Sequence, residues 1–159
     1  MRVVVLAVGR LKGAAERELV DRYVSRAAQT GRALGIHPVD VIEIPESRAA
    51  SAEGRRRDEA DAIRAKVPAG AAVTLFDERG RAVSSRDFAN DLAAVRDDAH
   101  AAAAFVIGGP DGLDPALRAG ARVVSFGAMT LPHRLVRIMV MEQIYRATTI
   151  LCGHPYHRE

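Results

Sequence analysis

Tryptophan is absent and aromatic residues make up only 4% of the 159-residue chain, which argues against a surface of stacked bases of the kind single-strand binders use. The single cysteine, Cys152, excludes an intramolecular disulfide framework and fits a reducing compartment. Long apolar runs are missing too. Nowhere do about 18 apolar residues follow one another, and Met1 to Val8 lacks a signal-peptide cleavage pattern, so neither membrane spanning nor export is expected and a cytoplasmic location is. Lysine is scarce: 21 of the 23 basic residues are arginine, a skew that, beside 29 alanines, looks more like coding bias than function. No internal repeat, low-complexity linker or domain boundary interrupts the chain, and its length suits a single domain over residues 1–159.

What is present is a strand–helix alternation. Val3 to Val8 is a continuous apolar run closed by Gly9, as in a strand covered on both faces, and Leu19, Val20, Tyr23, Val24 and Ala27 form a helical stripe ending near Gly31. Val39 to Ile44, Ala71 to Phe76, Ala103 to Ile107 and Val123 to Ser125 read as further strands. Between them lie a helix from about Ala52 to Lys66, the turn Asp77 to Gly80, a helix opened by a capping-box pair Ser84 and Asp87 and reaching about Ala99, and a short helix from Pro115 to Gly120. This order predicts an α/β domain, a mostly parallel sheet with helices on both faces. The last helix, Leu135 to about Thr149, carries Val136, Ile138, Met139, Val140, Met141 and Ile144 all round its axis. A helix apolar on every side must be buried on every side, which favours a homodimer seam, with Met141 as a probe position, over burial within one chain.

Two loops follow strands where open α/β sheets place ligands. Gly108-Gly-Pro-Asp-Gly112 has adjacent glycines that let backbone approach a ligand, and a side chain added at Gly109 is expected to fill that ligand's space. Gly127-Ala-Met-Thr-Leu-Pro-His133 is the second, so the pair can wall one pocket; as plain structure, Thr130 would cap the following helix and Pro132 sit in its first turn. The spacing matches neither a dinucleotide fingerprint nor a phosphate-binding P-loop. The tail Cys152-Gly-His-Pro-Tyr-His-Arg-Glu159 gathers two imidazoles, a phenol and a guanidinium, with a frayed end as the ordinary alternative. Cys152, His154 and His157 could ligate a metal, but Pro155 stiffens the segment and no fourth ligand is evident, so no metal is expected. His37 and His100 read as surface residues. Residues 115–159 hold six arginines against Glu142 and Glu159, which suggests an anionic partner met by one basic face.

Taken together, Ile107-Gly-Gly-Pro-Asp-Gly112, Met129-Thr-Leu-Pro-His133, Glu142-Gln-Ile-Tyr-Arg146 and His154-Pro-Tyr-His-Arg-Glu159 closely resemble the large-subunit ribosomal RNA methyltransferase H family, of the SPOUT class, over essentially the whole chain. The resemblance implies a C-terminal trefoil knot, a homodimer through the last helix, and S-adenosylmethionine as methyl donor. It implies transfer to N3 of a pseudouridine in a 23S rRNA stem-loop of the assembled ribosome. The cofactor would lie against Leu75, Phe76, Gly108, Gly109, Gly127, Ala128, Met129, Thr130, Leu131 and Pro132. The imide N–H of the acceptor must be lost before N3 is nucleophilic, which makes His133, His154, His157 and Arg158 the candidates for accepting that proton or stabilising the anion, with Tyr156 as a surface for the base. RNA loops suit such an enzyme because their bases can be splayed into a pocket. Against this stand an oxidoreductase or hydrolase on the same architecture, for which the chain lacks a nicotinamide fingerprint and a serine elbow, and a non-catalytic RNA-binding module.

Overall fold

A computed structural model describes residues 1–158; Glu159, the last residue of the tail motif, lies outside the described residues. Strands β1 (Arg2–Val8), β2 (Val39–Ile44), β3 (Ala72–Ala82), β4 (Ala102–Ile107) and β5 (Arg122–Ser125) alternate with helices α1 (Ala14–Gly31), α2 (Ala52–Arg64), α3 (Ser85–Asp97) and α4 (His133–Leu151). They form one parallel sheet in the order β2-β1-β4-β3-β5. The central strands β1 and β4 are buried from end to end apart from Arg2, which is why their sequences run apolar without alternation. Val3, Val5 and Ala7 pack under α1, α3 and α4, while Val4, Leu6 and Val8 turn to the opposite face with Ile63 of α2. Helices therefore cover both faces.

The capping box forms in full: the Ser84 hydroxyl accepts from the Asp87 N–H while the Asp87 carboxylate accepts from the Ser84 N–H, and Ser51 caps α2 by accepting from Gly54 N–H. Each cap is worth about 0.5–2 kcal/mol. The entry to α4 differs from expectation. Pro132 itself occupies the cap position, Thr130 caps nothing, and the helix begins at His133.

Strand β3 also departs from its reading. It does not stop at Phe76: both Phe76 and Arg81 register on Val124, with Asp77–Gly80 looping out between them. A Cβ on Gly80 would stand 2.5 Å from the carbonyl carbon of Val124, so the excursion can hug β5 only through a glycine.

Helix α4 lies between α1 and α3 over the sheet, and Val140, Met141, Ile144 and Ala147 have no exposed surface within a single chain. Most of the all-round apolar character is thus absorbed by the chain's own core, and Met141 is not on an open seam. The uncovered remainder is narrower: Leu135 is 48% exposed and Ile138 and Met139 are half-buried.

Candidate active site

The carboxyl ends of the adjacent strands β4, β3 and β5 open on one cleft of about 460 Å³, within the ordinary range for small-molecule sites. Phe76 is the last residue of β3 before the excursion at Asp77–Gly80, Gly108 and Gly109 follow β4, and Gly127, Met129, Thr130 and Leu131 follow β5, so the two glycine loops do face a common cavity. Phe76 stacks on Phe126 with ring centroids 5.2 Å apart, which stiffens one wall. The backbone groups of Met129 to Leu131 take part in none of the turn or ladder hydrogen bonds of the described residues, leaving donors and acceptors available to a ligand's polar edge. Met129, 80% exposed, stands at the mouth.

Three expected positions lie elsewhere. Leu75 is buried in the core beside α2, because successive strand residues face opposite sides and Phe76 takes the cleft. Ala128 and Pro132 are exposed and do not line the cavity. Gly109 lines it by backbone, but its missing Cβ would meet Val8 Cγ1 at 2.8 Å. A side chain there would press on the core instead of entering the cavity, so Gly109→Val is no clean probe of ligand space.

His133 reaches the cleft from the first residue of α4. Gly9, at φ +88°, ends β1 beside it: a Cβ at that point would meet the Glu46 carboxylate at 2.8 Å and His133 Nε2 at 3.7 Å, which places the three elements in one corner. Burial holds the His133 imidazole below its ordinary value, Arg134 and Arg137 push the same way, and Glu46 opposes them. A neutral imidazole is a proton acceptor. Behind it Arg137, 1% exposed, donates to the carbonyl oxygens of Val8 (3.3 Å) and Gly9 (2.7 Å) and pairs with Glu43 at 2.7 Å. Sequence reasoning overlooked Arg137, Glu43 and Glu46; an arginine among seven apolar helix residues was the available sign.

The tail is held, not frayed. Tyr156 packs on Tyr145 with centroids 4.6 Å apart and donates to Glu142 Oε1 at 3.0 Å, while Arg146 pairs with the same carboxylate, lies over the Tyr156 ring and meets His157 Nδ1 at 3.4 Å. Burial, with the Glu142 contact adding, raises the Tyr156 phenol far above its ordinary range, so it is a neutral donor here. Tyr156 thus has a ring partner of its own, whereas His154 and Arg158 are exposed. None of the tail residues lines the cleft. Glu142 and Arg146 lie about 14 and 20 Å beyond His133 at 1.5 Å per residue, so within one chain the tail and His133 stay apart.

The expected basic face also changes. Arg118 pairs with Asp77 (2.9 Å), Arg122 with Asp91, Arg137 with Glu43 and Arg146 with Glu142. Among the described residues of that segment only Arg134 and Arg158 lack a carboxylate partner, so a charge surplus counted along the chain is not a charged face.

A family model described as "Predicted SPOUT methyltransferase" matches residues 1–157. The chain is 56% identical to the ribosomal RNA large subunit methyltransferase H of Xanthobacter autotrophicus and 54% identical to that of Nitrobacter hamburgensis, in each case over 99% of both proteins. The chain belongs to the SPOUT methyltransferases and, within them, to the ribosomal RNA large subunit methyltransferase H family. Among solved structures, TrmJ from Z. mobilis is similar at 15% identity, with a TM-score of 0.48 and 94% of this chain and 70% of that one covered.

Proposed function

We propose that the protein is an S-adenosylmethionine-dependent methyltransferase acting on N3 of a pseudouridine in 23S rRNA of the assembled ribosome, with the cofactor in the cleft of β3, β4 and β5. The observation that carries this reading is the convergence of both glycine loops and a neutral His133 on one cavity, in a chain whose relatives are named ribosomal RNA large subunit methyltransferase H. The residues fit the cofactor. Phe76, Leu113 and Val136 offer apolar walls, and the uncommitted main chain of Met129 to Leu131 offers polar contacts for an adenine edge. When bound, S-adenosylmethionine supplies a methyl carbon already activated by its sulfonium, so the protein's share is alignment and deprotonation.

His133 is the acceptor for the N3 proton: burial keeps it neutral before the reaction, and Glu46 across Gly9 favours the imidazolium once formed. The tail supplies cationic and hydrogen-bonding groups to the base, His154 and Arg158 being free to do so, whereas Tyr156 anchors the segment to α4. Since the tail and His133 stay apart within one chain, a second copy brings them together, which makes a homodimer through Leu135, Ile138 and Met139 part of this reading. The trefoil threading is part of it as well. The test is methyl incorporation from labelled S-adenosylmethionine into purified ribosomes lacking this modification, mapped to the base. Incorporation is expected in whole ribosomes. Cofactor binding with no incorporation would overturn the acceptor assignment, and absence of binding would overturn the cofactor assignment.

A further inference from the structure

The loop Gly108–Gly112 has little holding it beyond its own turn, in which Gly112 N–H donates to the Gly109 carbonyl at 3.0 Å. Its one charged residue, Asp111, is gripped by α2. Arg55 Nε donates to Asp111 Oδ2 at 2.7 Å and Nη2 to Oδ1 at 3.0 Å, a bidentate pair that fixes the carboxylate plane as well as its position. The remaining arm of the guanidinium, Nη1, donates to the carbonyl oxygens of Ala49 (3.0 Å) and Ala50 (3.3 Å). One side chain therefore ties together the loop after β4 and the segment after β2, the segment that carries Glu46 to the corner of His133. One turn further along α2, Glu59 is buried behind the same loop, its Oε2 3.5 Å from where a Gly109 Cβ would stand and its Oε1 accepting from Ser47 N–H at 3.0 Å.

We infer that Arg55 is a positioning residue for methyl transfer, acting through Asp111 to hold the glycine loop in its ligand-ready shape and through Ala49 and Ala50 to keep that loop in register with the His133 corner. This rests on the reading of the cleft as the cofactor site. No other residue type makes the same connection. A lysine would bring charge without two parallel donors and a third arm, and an asparagine at 111 would keep the shape while surrendering one acceptor and the charge. Residues 108–112 offer the ligand mostly glycine backbone, whose conformational freedom has to be removed by something outside the loop if affinity is not to be spent on ordering it.

The experiment is a double-mutant cycle of Arg55→Lys and Asp111→Asn, with Arg55→Ala beside it, read in two ways. Amide exchange at Gly109 and Gly112 in the free protein is expected to accelerate at least tenfold in every variant, while core amides of β1 and β4 stay protected. Calorimetric titration with S-adenosylmethionine is expected to show about tenfold weaker binding in each single variant, with the double variant little worse than either, because both remove the same contact. In methylation assays KM for the cofactor should rise about tenfold, with a smaller fall in kcat at saturation that reports the loosened His133 corner. Unchanged exchange in folded variants, or losses that simply add, would overturn the inference. If the wild-type protein fails to bind S-adenosylmethionine, the cofactor reading falls, and the exchange arm still decides whether Arg55 orders the loop.

Discussion

Replacing Arg137 by methionine removes a buried cation without opening a large hole, because the two side chains have similar volume even though methionine stops short of the guanidinium's partners. Three contacts disappear together: the pair with Glu43 and the bonds to the carbonyl oxygens of Val8 and Gly9. Removing one partner of a buried pair costs about 3–5 kcal/mol, since the other charge is left without compensation. Glu43 keeps its bond from Leu11 N–H and is about a quarter exposed, at 27%, so water recovers part of that cost. The Nε of Arg137 is itself buried without a partner, and its removal returns a little more. The balance is a loss of about 3 kcal/mol, or roughly 6–12 °C in Tm for a domain of this size. Urea unfolding followed by circular dichroism measures it. The pH dependence supplies a second reading. Burial alone would raise the Glu43 carboxyl, but the Leu11 N–H and Arg137 outweigh it and hold it below its ordinary 4.5. This group then contributes stability that is present above pH 4.5 and lost as pH falls through the lower folded value. In the methionine variant that acid limb should be shallower. A loss under about 1 kcal/mol, with the acid limb unchanged, would refute the account of Arg137 as the tie between α4 and the end of β1.

Tyr156→Ala, which deletes the ring packed on Tyr145 and the bond to Glu142, should free the tail for proteolysis and lower ribosome methylation while leaving S-adenosylmethionine affinity at wild type. Gly80→Ala should cost about 1–3 kcal/mol by forcing β5 away from the excursion, and should weaken cofactor binding as well; thermal melts and calorimetry test both. Leu135→Glu should give a folded monomer by light scattering where the proposed α4 seam makes the wild type a dimer, whereas Met141→Glu, at a position with no exposed surface, should unfold the chain; a folded Met141→Glu monomer would contradict the packing described. His133→Gln should remove the acid limb of the methylation rate, which in the wild type falls as pH drops through the imidazole's depressed value and the ring becomes charged.

The order of elements was legible from the residues because it depends on local periodicity and on caps: apolar runs for β1 and β4, a 3.6-residue stripe for α1, and the Ser84–Asp87 pair for α3. The two glycine loops were legible too, as glycine and proline mark loops wherever they stand. The tertiary structure alone decided which charges neutralise one another, since Arg137 meets Glu43 across 94 residues and Arg118 meets Asp77 across 41, separations at which a count along the chain carries no information. It also decided which side of a doubly apolar strand faces the cleft. Leu75 and Phe76 read alike in a buried run, and only the helices laid on each face of the sheet assign one to the core beside α2 and the other to the cleft. The same holds for α4, whose apolar surface shows that it must be covered but not by what; α1, α3 and the sheet take most of it, because a helix at the centre of a three-helix layer has neighbours on both flanks as well as beneath.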